Sequence, residues 1–107
     1  MKREQAVATA LNNIDSDFVK ALAEPVRIEI LKQLIILGAC DVKTLSEYMP
    51  QDRSVISRHL ALMEKAGLLT VKKEGRHRIY SVDGESSLQK SEQLVLSIRE
   101  CLKVGCC

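Results

Sequence analysis

Of the four cysteines in this chain, Cys101, Cys106 and Cys107 fall inside the closing stretch CLKVGCC, while Cys40 stands alone upstream. Thiolates are soft donors, and three of them brought together suit trivalent arsenic or antimony, which take three sulfurs in a pyramid. Cadmium, lead and mercury are further thiophilic candidates. The same sulfurs could record an oxidant or a reactive sulfur species by reversible oxidation, or be incidental to a loose chain end. On the metal-site reading Cys101 fixes one ligand on a helix, and Cys106 and Cys107 close round the ion after a bend at Gly105, where a missing Cβ permits it. A thiol reductase centre fits poorly. Adjacent cysteines lack the two-residue spacer of redox motifs, and no cationic helix terminus stands by to activate them. No other catalytic constellation is visible, so the expectation is a protein that is not an enzyme and needs no obligatory cofactor.

The elements that must carry these groups are mostly helical. Val7, Ala10, Leu11 and Ile14 recur at helical spacing, with Phe18 extending the stripe. Ser16 or Asp17 is the expected cap of a second helix. Pro25 then suits the first turn of a helix over residues 25–37, which Gly38 ends. Asp41 is placed to cap the short run VKTLSEYM, which Pro50 stops. Next comes RSVISRHLALMEKAGLL, with Val55, Ile56, Leu60 and Met63 on one apolar face and Gly67 at its end. LLTVKK and RHRIYSV read as two strands joined at Glu74 and Gly75, a hairpin with a basic tip. A last helix, residues 86–104, is expected to turn Leu88, Val95, Ile98 and Leu102 to one side, with Leu94 and Cys101 beside them.

The chain has 107 residues, 46% apolar and 28% charged, the size and makeup of one soluble domain spanning residues 1–107. With no tryptophan and one phenylalanine, its core must be built from aliphatic residues. A core that small gains from covering one more apolar helix face in a dimer. The start, MKREQAVATALNN, has no continuous apolar run or small-residue cleavage site, and no stretch approaches the roughly 20 apolar residues of a membrane helix. A cytoplasmic protein without membrane contact is expected, and there thiols stay reduced.

The net charge of +2 is unevenly spread. Residues 51–80 hold Arg53, Arg58, Lys65, Lys72, Lys73, Arg76 and Arg78 against Asp52, Glu64 and Glu74, a local +4 that leaves −2 for the remainder. Two short helices, a tight turn and a basic hairpin make a winged helix-turn-helix, mainly α with a small β-hairpin and five to six helices, whose partner is double-stranded DNA. The second helix of the pair fits the major groove, about 12 Å wide, and offers base edges the residues near its N-terminus. Gln51, Arg53, Ser54, Ser57, Arg58 and His59 lie there. Arg58 suits either guanine or a phosphate, and sequence leaves both open. At the hairpin, Lys72, Lys73, Arg76, His77 and Arg78 are candidates for backbone contacts. His59 and His77 read as packing, DNA-contacting or exposed residues rather than metal ligands.

ALAEPVRIEILKQL and SVISRHLALMEKAGLLTVKKEGRHRIYSV together resemble the ArsR/SmtB family of metal-responsive repressors over residues 15–82. The recognition-helix pattern is matched by Ser54, Ser57, His59, Leu60, Leu62, Gly67 and Leu68. The resemblance implies a homodimeric repressor, with residues 1–14 and 86–104 as dimerisation helices and residues 105–107 as a cysteine tail. Its operator affinity would fall when a soft metal or metalloid inducer, arsenite or antimonite foremost, binds. Family members that sense zinc, nickel or cobalt use histidines and carboxylates of the last helix. Here no histidine follows His77, and that helix offers only Glu92 and Glu100, which disfavours those ions. GACDV also resembles the segment that carries thiolate ligands in the family's arsenic, cadmium and lead sensors. Cys40 matches its second cysteine, but Gly38 and Lys43 stand where others would be. Cys40 is therefore either an alternative ligand completed from elsewhere or a small buried apolar residue.

Overall fold

A computed structural model describes residues 2–105. The element order is α1 (Arg3–Asn12), α2 (Ser16–Leu22), α3 (Pro25–Leu37), α4 (Val42–Ser46), α5 (Arg53–Lys65), β1 (Leu69–Glu74), β2 (His77–Val82) and α6 (Gly84–Gly105). The winged helix-turn-helix expected from the sequence is present. Ile56, Leu60 and Met63, one face of α5, are fully buried among Phe18, Ile30 and Leu45, while Val55 is half-buried.

Aspartates start three of the helices. Asp15, rather than Ser16 or Asp17, caps α2. Its backbone is extended, and its carboxylate accepts from the backbone N–H of Phe18 at 3.1 Å. Asp41 does the same for α4 through Thr44 at 2.9 Å. Asp83 accepts from Ser86 at 3.0 Å, so α6 begins two residues earlier than its apolar pattern suggests. Helix α4 is a turn shorter than expected, although Met49 beyond it is still buried.

The end of α5 is closed by paired bonds, Gly67 N–H to Glu64 O at 3.1 Å and Leu68 N–H to Met63 O at 3.0 Å, the Schellman arrangement. Gly67 has φ +87°, and a Cβ there would stand 2.6 Å from Lys90 Cε and 2.9 Å from Ser86 Oγ, because α6 crosses at this point. The hairpin pairs Val71 with Tyr80 and Glu74 with His77. Its turn is therefore Gly75–Arg76, one residue later than the sequence suggested. Cys40, just after α3, adds one rung to β2 by exchanging both backbone hydrogen bonds with Tyr80, at 3.1 and 2.9 Å.

Helix α6 has two distinct faces. Its side against α1 carries Ser97, 2% exposed, with half-buried Leu94, Cys101 and Val104. The apolar row that the sequence places on one side of this helix lies in solvent in the single chain, with Leu88 at 63%, Val95 at 48%, Ile98 at 46% and Leu102 at 56% exposure. Small residues explain the choice, since Ala10 of α1, itself buried, lets the two helix backbones approach across Ser97. Gly105 is the last helical residue and not a bend; Cys106 and Cys107 lie outside the described residues. The outer pair of α1 and the 22-residue α6 makes the chain elongated, 54 × 24 × 20 Å with a radius of gyration of 17.0 Å, against about 13 Å for a compact domain of this length.

Candidate nucleic-acid interface

The inward side of α5 is spent on the core, which leaves Arg53, Ser54, Ser57 and Arg58 exposed at its first two turns. A basic cleft joins this surface to the wing. Arg53 and Ser57 of α5 line it together with Arg76, His77 and Arg78, Lys43 of α4, and one carboxylate, Asp41. Lys73 and Arg76 are exposed and form no ion pair among the described residues, so their charge is open to phosphate.

Other wing residues are already engaged. Arg78 donates from Nε to the Tyr80 hydroxyl at 3.3 Å and from Nη2 to Glu64 of α5 at 3.5 Å, which pins the wing to the recognition helix. His77 Nδ1 lies 3.1 Å from Asp41 Oδ2, although the ring is 65% exposed. The Asp41 carboxyl is held below the usual carboxylate range, first by the backbone N–H and side chain of Thr44 and then by His77. His77 thus links the wing to the start of α4. Lys72 sits 3.8 Å from Glu74 along its own strand.

Two expected groove residues are placed differently. His59 is half-buried and accepts at Nδ1 from Arg27 Nε at 3.2 Å, while Arg27 Nη1 donates to the Lys20 carbonyl at 2.9 Å. Its ring is a tie between α5, α3 and α2, because position 59 falls at the edge of the buried face of α5. Gln51 is half-buried, and its side-chain oxygen is enclosed without a hydrogen-bond partner, so the carbonyl end of its amide points inward. Both are corrections to the outward set. Lys20 of α2, Arg27 of α3 and Lys65 of α5 line a second cleft along α5, and none of them was named from the sequence as a candidate contact. Lys20 and Arg27 come from separate helices, and only their shared positive sign hinted at them.

The thiols occupy two environments. Cys40 is 8% exposed inside the main core, and burial, followed by the neighbouring Asp41 charge, pushes its thiol above the ordinary value. That is the environment of a small apolar residue rather than of a thiolate ligand. Cys101 is half-buried on α6 with Sγ 4.0 Å from the Val7 carbonyl of α1. Among the described residues no three or more His, Cys, Asp or Glu side chains are grouped to hold a metal ion. None of the described helices is long and apolar enough to cross a membrane.

Lys90 joins the two halves of the chain. Its ammonium pairs with the Asp15 carboxylate at the start of α2, and its methylene stem lies against Gly67 at the end of the recognition helix. The side-chain bond to Lys90 comes first, and that to the Phe18 N–H second, in holding the Asp15 carboxyl below its ordinary range.

Known proteins share this arrangement. Residues 24–71 match the family model described as bacterial regulatory protein, arsR family. A cadmium resistance transcriptional regulatory protein CadC homolog of Staphylococcus aureus is 30% identical over 86 residues, which cover 80% of this chain and 71% of that protein. A crystal structure described as a possible transcriptional regulator for arsenical resistance superposes with a TM-score of 0.65 at 35% identity, over 74% of this chain and 81% of that one. HlyU from Vibrio cholerae gives a TM-score of 0.59 at 27% identity and covers 94% of this chain and 99% of its own.

Proposed function

Because this chain belongs to the arsR family of bacterial regulatory proteins, and is therefore a DNA-binding transcriptional regulator rather than an enzyme, we propose that it acts as a homodimeric repressor released from its operator when cysteine thiolates bind trivalent arsenic or antimony. The observation that carries this reading is the position of Cys101. It lies on the α1 side of α6, and the opposite side of that helix bears a bare apolar row. Leu88, Val95 and Leu102 repeat at seven-residue intervals along that row, with Ile98 between them. A second copy of the chain would cover it, and Cys101, on the other side of the same helix, would then sense how α6 is held between α1 and that second copy. Cys106 and Cys107 follow the last residue of α6 in the sequence and complete the donor set.

Ligation lowers DNA affinity only if the ion binds one dimer geometry better than the other. Helix α6 is suited to that coupling, since its Lys90 rests on the end of the recognition helix. Cadmium is the second reading, favoured by the name of the Staphylococcus aureus relative; three thiolates serve either ion.

The test uses a duplex enriched from a random library by the reduced protein. Its binding is measured with arsenite, cadmium, zinc and polysulfide for the parent and for Cys40→Ser, Cys101→Ser, Cys106→Ser and Cys107→Ser. Arsenite is expected to release DNA from the parent and from Cys40→Ser, and to leave the three tail variants bound. If Cys40→Ser alone fails to respond, the tail assignment is wrong. Release by polysulfide and by no metal or metalloid would replace ion sensing with thiol oxidation.

A further inference from the structure

The recognition helix has two flanks, and the wing accounts for one of them. On the other, α5 faces α2 and the start of α3 across a cleft of about 680 Å³. Four cations line it, Lys20, Arg27, Arg58 and Lys65, against the carboxylates of Asp17 and Glu24. Arg27 is committed internally to His59 and to the Lys20 carbonyl. Lys20, Arg58 and Lys65 are exposed, and none of them forms an ion pair among the described residues. On the wing flank, by contrast, Lys72, His77 and Arg78 each already have an acidic neighbour.

A helix lying in the major groove has a sugar-phosphate strand on each side, because the groove is only about 12 Å wide. Unneutralised cations beside such a helix gain free energy by displacing the counterions condensed on the nearer strand. We infer that the cleft between α2, α3 and α5 is a second backbone-binding face, in which Lys20, Arg58 and Lys65 hold the strand opposite the one gripped by the wing. Arg58 is thereby assigned to phosphate. Arg53 and Ser57 turn toward the wing cleft, whereas Arg58 shares the other cleft with Ala61, Leu62 and Lys65. Base reading falls to the short side chains of Ser54 and Ser57 between the two charged flanks. The inference rests on the DNA-binding role of the family and adds residues and a second strand to it.

The experiment is the salt dependence of binding to the enriched duplex and to a scrambled one, for the parent, Lys20→Ala, Arg58→Ala, Lys65→Ala, Arg58→Lys and the wing variant Arg76→Ala. Each loss of a phosphate contact should flatten the slope of log K against log salt by about 1, and equally on both duplexes. Arg58→Lys should keep most of the parent's affinity, since a phosphate accepts a point charge where a bidentate guanine contact would not. The inference is overturned if Arg76→Ala flattens the slope while Lys20→Ala and Lys65→Ala leave it at the parent's value. It is equally overturned if Arg58→Ala relaxes base preference at one position with the slope unchanged. Failure of the parent itself to bind either duplex even at low salt would remove the DNA-binding premise as well, which separates that failure from a failure of the cleft.

Discussion

Replacing Asp15 tests how the outer helices are fastened to the DNA-reading body. Its carboxylate does two jobs, capping α2 through the Phe18 N–H at 3.1 Å and pairing with Lys90 of α6. Removing an N-cap acceptor costs about 1 kcal/mol. The ion pair is roughly one-third exposed on each side, with side-chain exposures of 32% and 37%, so it contributes on the order of 0.2–1 kcal/mol. Asp15→Asn keeps an oxygen for the cap and loses the charge, whereas Asp15→Ala loses both. Near neutral pH the expected losses are about 0.5 kcal/mol for Asn and about 1.5 kcal/mol for Ala. At roughly 4–8 °C per kcal/mol these correspond to melting shifts of about 3 °C and about 9 °C, measured at one fixed protein concentration. The pH dependence has a definite sign. Lys90 and then the Phe18 N–H lower the Asp15 pKa from its ordinary 3.8, so its contribution is fully present above that value and is lost as pH falls through the lower, folded one. The gap between parent and Asp15→Asn should therefore close on acidification. Lys90→Met, which keeps a stem over Gly67, should cost about as much as Asp15→Asn, and the double variant little more than either. Equal melting of Asp15→Ala and Asp15→Asn, or a gap that stays constant into strong acid, would refute this account of the joint.

Two other outcomes follow from burial. Val95→Glu puts a charge in the middle of the open row on α6 and should shift sedimentation toward the mass of a single chain and weaken operator binding; an unchanged mass would mean that the row is not the subunit contact. Cys40, buried and with its thiol pKa raised by desolvation and by Asp41, should resist a maleimide under native conditions at neutral pH while Cys101 reacts, as read by peptide mass; equal rates at the two sites would contradict the packing around Cys40.

Much of the architecture was legible because its signals are local. The Ile56, Leu60 and Met63 spacing, Pro25 at a first helical turn, Asp41 before a short helix and the basic hairpin each fall within a few residues, and each is realised. What escaped spans long separations. The Arg27–His59 bond joins positions 32 apart and the Lys90–Asp15 pair positions 75 apart. No periodicity announces either, and the first moves His59 out of the groove-facing set. On α6 the apolar repeat is present as a stripe, and in the single chain it lies in solvent. Periodicity says that a face is apolar, not what covers it, and here small residues at Ala10 and Ser97 decided which face meets α1.

The exposed row bears on how the thiols relate to the reading head. Had the Leu88, Val95 and Leu102 row packed inside its own chain, Cys101 would sit beside an intramolecular core, and ligation there would act on one subunit's stability. With the row in solvent and Cys101 against α1, a ligand at Cys101 of the kind proposed above would act on the angle between α1 and α6, and in the proposed dimer on how the two copies meet. The only polar side-chain links among the described residues that tie α6 to the chain outside α1 and its own N-terminal turn converge on Lys90. Its stem lies on the residue where the recognition helix ends. A tilt of α6 therefore has a short path to α5, through the Lys90 stem that lies against the Gly67 backbone. Gly67 accordingly serves two ends: its positive φ closes α5, and its missing side chain lets α6 bear directly on that closure.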